Sequence, residues 1–482
     1  MFSQADISLK IQNNVNYPVQ ISILGNPYNL KDTVNAKTEY RWNFTSFVFT
    51  NETQIIIQYK LNSDTTYQTF SGQLPTQTLQ GVVDVLNLLG IGFFTLYTEL
   101  GSTYIGTYND NYTFGQLNLF VPSIINPNFF YGSGFDNYTQ SVSLQSNGQI
   151  MVVGTFSSYN GTASNSVIRL NADGTNDITF TSPFLSTIGL FAIATQTDGK
   201  YLVGGSNNIF RLNTNGTFDT SLVTGTGISG GATEVYAIAI QSDGKIIVGG
   251  SFTSYNGTGA NNIIRLNTDG SVDGTFVYGT GFTGFFTQLG IYSIEIQADG
   301  KILIGGDFTS YNGTGANGII RLNTDGSVDG TFVYGTGFDS YVNNIVQTGG
   351  KLLVGGAFST YQTTNTSYGI IRLNTDGTVD NSFAFQTTFG VEIETIVPLT
   401  NTNIVLGGII NGNYNGTTVG AGIVQVTSGN VLTNWATGTG FSGAGVAFAQ
   451  KIVIQTSSGI VVGGLFTSFN ATPANYIIEL YT

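Results

Sequence analysis

Residues 235–282 read VYAIAIQSDGKIIVGGSFTSYNGTGANNIIRLNTDGSVDGTFVYGTGF, and residues 291–338 repeat that stretch closely. From Ser251–Phe282 to Asp307–Phe338 the two copies differ only at Ser251/Asp307 and Asn262/Gly318. Val235, Ala237 and Ala239 alternate with Tyr236, Ile238 and Ile240, the two-residue period of a β-strand. Both sets are largely apolar, so both faces of the strand are expected to be buried, as when sheets stack on sheets. Asp243-Gly244 falls between two strands, where a tight turn needs positive φ. Gly249-Gly250 lies inside the next strand, where missing side chains permit a bulge or a close backbone approach.

Working outward, the same Gly-containing strand recurs at Val153-Gly154, Val203–Gly205, Val248–Gly250, Ile304–Gly306, Val354–Gly356, Leu406–Gly408 and Val462–Gly464. A period of roughly 45–56 residues, rich in strands and turns, marks a toroidal or solenoidal array. Each unit predicts about four short antiparallel strands, one propeller blade. The chain stops at Ile477–Thr482, in the place of IIRLNT, and the segment missing from that unit stands ahead of the first one, at Ile124–Phe135. The expectation is therefore a mainly β fold, a seven-bladed β-propeller closed by its N-terminal strand, since closure removes two open sheet edges.

The pattern DG-K-I-x-VGG-x-F…YNG…IIRLN-x-DG-x-x-D-x-x-F resembles the delta-60 repeat family, which implies a β-propeller over residues 121–482 and little about activity. Residues 1–120 do not share the repeat. They predict short strands at Ile7–Ile11, Val19–Leu24, Tyr40–Phe49 and Gln54–Leu61, a helix at Thr76–Leu89 after Pro75, and more strand over Phe93–Tyr112, a small α+β domain. Their richness in Asn, Tyr and Thr resembles the adaptor domains of tailed-phage virion proteins, a likeness carried by composition without a motif.

Composition excludes much chemistry. Charged residues make up 9% of the 482 residues, against roughly 25% in a typical domain, so the surface is polar but electrostatically quiet. The net charge is −13 and the basic residues are scattered, which argues against nucleic-acid binding. No segment reaches the ~20 apolar residues of a membrane span. The start, MFSQADISLKIQNN, predicts no secretory signal. With no Cys and no His, thiol chemistry, the Ser-His-Asp triad and most transition-metal sites are removed.

Five sets of residues invite a functional reading. Arg169, Arg211, Arg265, Arg321 and Arg372 could ring an acidic-sugar site, but each is followed eight residues later by an Asp: Asp177, Asp219, Asp273, Asp329 and Asp380. A structural Arg–carboxylate pair within each blade explains that co-occurrence. The motif Asn267-Thr-Asp269-Gly-x-x-Asp273 overlaps half of a calcium loop but lacks its first and last acidic ligands, so a turn is expected; no metal site or cofactor is assigned, with Ca²⁺ the one ion the motif could hold. Asn-Gly-Thr at Asn160, Asn215, Asn256, Asn312 and Asn415 matches a glycosylation sequon and equally a tight turn. The loop pairs Tyr159-Asn160, Tyr255-Asn256, Tyr311-Asn312, Tyr361-Gln362, Tyr414-Asn415 and Phe469-Asn470 combine a ring with an amide. They are read as a carbohydrate-binding rim, or else as packing between blades. Glu234, Glu295, Glu392 and Glu394 are the carboxylates available for glycan cleavage, and nothing in the sequence pairs them.

Three functions follow, in order. The first is a non-enzymatic virion structural protein of a tailed bacteriophage (tail, fibre or capsid-associated). Residues 1–120 bind other virion proteins, and the propeller faces host-surface glycans. The second is a bacterial secreted or surface adhesin; the third is a glycan-cleaving enzyme. An oligomer is compatible with any of them, although no coiled-coil heptads are present.

Overall fold

The computed structural model describes seven strands between residues 5 and 107, residues 125–126, and residues 128–481 except 285–289, 363, 366–368, 383–391, 400–402, 411, 415–416, 420, 428–429, 432–438, 444 and 457–458. Two compact units divide at Pro127/Asn128. In the first, Ala5–Gln12, Gln54–Leu61 and Gln68–Gln73 form one antiparallel sheet. Arg41–Trp42, Val19–Ser22, Phe93–Thr98 and Thr103–Thr107 form another, in that order. The expected helix Thr76–Leu89 lies outside the described residues.

The second unit repeats one antiparallel sheet seven times among the described residues. Its inner strands are Thr139–Leu144, Leu190–Thr195, Glu234–Ile240, Gly290–Ile296, Val342–Thr348, Glu392–Pro398 and Phe448–Thr456. Each pairs with a Gly-containing middle strand, Ile246–Ser251 in the third sheet, which pairs in turn with an outer strand, Ile263–Leu266 there. Neighbouring inner strands stand beside one another in chain order, and the seventh stands beside the first.

The cores lie between sheets. Leu202 and Ile209 of the second sheet pack with Val235, Ile246 and Val248 of the third, and Val461 and Ile477 of the seventh pack with Val142, Ile150 and Val152 of the first. Each such side chain contributes about 1.5–3 kcal/mol on burial. The middle-strand glycines set the spacing. A Cβ on Gly249 would lie 2.6 Å from Ile291 of the next sheet, and one on Gly250 would lie 2.0 Å from the Glu234 carbonyl oxygen.

Among the described residues a fourth strand is not formed in most units. It is reduced to a single bridge, as at Leu266↔Val272 and Leu322↔Val328. The reason is local: the Asp273 carboxylate accepts hydrogen bonds from the Thr275 backbone N–H (3.0 Å) and hydroxyl (2.7 Å), turning the chain away after one pair. The freed segment crosses to the next unit. There Phe282–Thr283 pairs with Ser310–Tyr311, and Ile228–Ser229 with Ser254–Tyr255. Asn128–Phe135 fills the same place between the last and first sheets: the Phe135 N–H donates to the Asn475 carbonyl (3.2 Å), and Phe135 bridges Tyr159.

Candidate functional site

The Arg–Asp pairs form in all five units, with Nε to Oδ2 distances of 2.6 Å (Arg169–Asp177), 2.7 Å (Arg211–Asp219, Arg265–Asp273, Arg321–Asp329) and 2.8 Å (Arg372–Asp380). Each Asp also meets a second donor, Lys200, Lys245, Lys301 or Lys351, or the Gln149 amide in the first unit. The paired aspartates are held below the usual carboxylate range. At Asp219 the Lys200 contact is the main cause; at Asp273 and Asp329 burial opposes the lowering hydrogen bonds and cations.

The guanidinium reaches further than its own blade. Arg211 donates to the Thr268 carbonyl of the next unit at 2.6 Å, and Arg265 and Arg321 donate likewise to the Thr324 and Thr375 carbonyls. The arginine is thus an inter-blade staple, a role that sequence spacing alone does not reveal.

The Asn-Thr-Asp-Gly carboxylates are engaged in turns, with Asp269 Oδ1 accepting from the Ser271 N–H (2.9 Å) and hydroxyl (2.6 Å).

The tyrosine rim requires a correction. Tyr159, Tyr255, Tyr311 and Tyr361 have no exposed surface, so no sugar can stack on them. Their hydroxyls face backbone carbonyls, those of Val277 and Gly326 at 2.9 Å each for Tyr311. Asn160, Asn256 and Asn312 adopt positive φ near 50° and accept hydrogen bonds through Oδ1 from the backbone N–H groups of Gly134, Gly227 and Gly281. These residues build the turn and bind the preceding connector. Asn415 lies outside the described residues. Tyr414 is in the strand Gly412–Tyr414, paired with Thr417–Val419.

A different group of residues meets at the axis. Every inner strand carries a one-residue bulge opposite its middle-strand partner, and the bulged residues are Gln140, Phe191, Tyr236, Tyr292, Asn343, Glu394 and Gln450. A bulge re-aims a side chain out of the sheet alternation. All seven are half-buried, and in five of them both chain neighbours are buried. Their side chains continue from unit to unit. Phe191–Tyr236, Tyr236–Tyr292 and Tyr292–Tyr341 ring centroids are 5.6, 5.4 and 6.2 Å apart, edge to face. Beyond them Asn343 Nδ2 donates to Glu392 Oε1 (2.9 Å), and Gln450 Nε2 donates to Glu394 Oε2 (3.2 Å). The Tyr236 hydroxyl donates to Glu234.

The electrostatics of this wall are distinctive. Burial first, then the charge and hydrogen bond of Glu392, push the Glu394 carboxyl up to about 8. Burial also raises Glu295 and lowers Lys451, each opposed by the other's charge, although they belong to the fourth and seventh units. The glutamates that sequence reading left unpaired are thus brought together around one axis. The bulge that re-aims Glu394 has no letter pattern of its own beyond the glycine pair opposite.

These features define the class: a β-propeller repeat array. Five of its repeats, at residues 145–180, 196–222, 241–276, 297–332 and 347–383, match the family described as "Domain of unknown function (DUF5122) beta-propeller". No curated protein matches. Among solved structures, the extracellular domain of a one-component system of B. thetaiotaomicron is similar at 13% identity and a TM-score of 0.42, over 86% of this chain and 55% of that one. The present chain therefore spans little more than half of that protein's length. A gluconolactonase from Xanthomonas campestris (13% identity, TM-score 0.36, 57% of this chain and 84% of that one) and the calcium-binding protein regucalcin from Agrobacterium tumefaciens (14%, 0.36, 57% and 84%) are also similar.

Proposed function

We propose that this chain is a non-enzymatic structural protein of a tailed-phage particle. In this reading, residues 1–120 attach it to other virion proteins, and a closed seven-bladed propeller is displayed toward host-surface glycans. The observation that carries the scaffold reading is that the recurrent charged and aromatic side chains of the repeat are engaged internally. Arg, Asp and Lys form staples, Tyr hydroxyls hold backbone, and Asn side chains hold turns. Ring closure is supported by the cyclic order of the inner strands and by the core shared between the seventh and first sheets.

The enzymatic alternative is disfavoured by the placement of the carboxyls. Glycosidase carboxyls stand roughly 5–9.5 Å apart to flank the scissile bond. Burial and then the charge and hydrogen bond of Glu392 raise the Glu394 carboxyl, which sets these two groups against each other rather than across a scissile bond. The test is to probe purified phage particles from a culture carrying the gene with an antibody against residues 128–482. Label on the particles is expected. Protein found instead on the bacterial surface or in the medium, with bare particles, would replace this reading by the adhesin.

A further inference from the structure

The geometry points to the axial wall formed by Phe191, Tyr236, Tyr292 and Tyr341 as a binding site for neutral, hexose-type sugars. This inference rests on the glycan-display reading above and gives that reading a location. The rim tyrosines are fully buried, whereas these four rings are partly exposed and form a continuous arc over four successive units. Exposed aromatic surface of this kind suits the apolar C–H face of a pyranose.

The wall continues in Asn343, Glu392, Glu394 and Gln450, which supply amide donors and carboxyl oxygens suited to sugar hydroxyls. The same wall sets the sign of the ligand. Glu234 and Glu392 place negative charge at this level, and the Lys451 ammonium is opposed by Glu295. A uronic or sialic acid carboxylate would be repelled there, most strongly because the groups are partly withdrawn from water.

The experiment is a glycan array of the full chain carrying neutral, amine-bearing and acidic oligosaccharides, with thermal melts to confirm folding. Neutral hexose glycans should bind, and Tyr292→Ala should weaken them by about tenfold. Glu392→Gln is nearly isosteric and should fold. It should admit acidic glycans that the native chain rejects. Native preference for acidic or amine-bearing glycans would overturn the ligand class. Neutral binding unchanged by Tyr292→Ala and by Tyr236→Ala would overturn the site while sparing the display reading. Binding to no glycan at all would overturn the display reading itself.

Discussion

Replacing Asp329 by Ala removes the centre of one inter-blade staple. Asp329 Oδ2 is 2.7 Å from Arg321 Nε and 3.0 Å from Lys301 Nζ, and its side chain is 5% exposed. Oδ1 accepts from the Thr331 N–H (3.0 Å) and hydroxyl (2.7 Å). Lys301 can turn to solvent, so little is lost there. Arg321 cannot, being 8% exposed and stacked over Phe332 at 4.8 Å. Breaking a buried pair from one side costs about 3–5 kcal/mol, chiefly because the remaining charge is left desolvated. Asp325→Ala, in the exposed turn just ahead of Asp329, is the matched control. It removes only local bonds to Ser327, worth about 1 kcal/mol or less. The assay is urea unfolding of the full chain followed by circular dichroism, with midpoints compared at a common slope. Arg321→Met added to Asp329→Ala should recover part of the loss, because no buried charge then remains. Equal shifts for the two single variants, or a double variant costing the full sum, would refute the staple.

The remaining predictions concern pH and the rim. Asp219, Asp273, Asp329 and Asp380 have folded values depressed below their unfolded value of about 3.9, Asp380 to about 2. Their contribution is present above that unfolded value and lost as pH falls through the folded ones, so melting temperature should drop below about pH 4. Glu394 has the opposite sign. Its folded value of about 8 lies above the unfolded value of about 4.3, so stability should decline as pH rises between those values, and Glu394→Gln should flatten that limb in a melting series. Tyr311→Phe leaves the ring packed but takes the hydroxyl donor from two carbonyls. It should cost about 1–2 kcal/mol in the urea assay and leave glycan binding unchanged.

Much of the scaffold was legible because the repeat is nearly verbatim. Alternation at Val235–Ile240 announced a strand, although only Val235 and Ala237 of it are buried, and the eight-residue Arg–Asp spacing announced a pair. What the letters concealed was how neighbouring units are joined. Asp273 ends the fourth strand through a side-chain turn, and Arg265 reaches a carbonyl 59 residues away. The rim misled because Tyr beside Asn spells both a sugar platform and a turn with a buried ring, and only the Gly326 and Val277 carbonyls above Tyr311 decide between them. The axial wall was illegible for the opposite reason. Phe191, Tyr236, Tyr292, Asn343 and Glu394 share a position but range from aromatic to amide to carboxylate, so no repeat consensus marks them.

The closed ring is tested most directly by a covalent link across its seam. The chain has no cysteine, and the Asn475 side chain donates to the Ser133 carbonyl at 2.7 Å, so Ser133→Cys with Asn475→Cys introduces the sole thiols at that junction. Mild oxidation should give an intramolecular disulfide in the monomer, seen as faster non-reducing gel migration than either single variant. Free thiols throughout, or links only between chains, would contradict a ring closed by its own N-terminal segment.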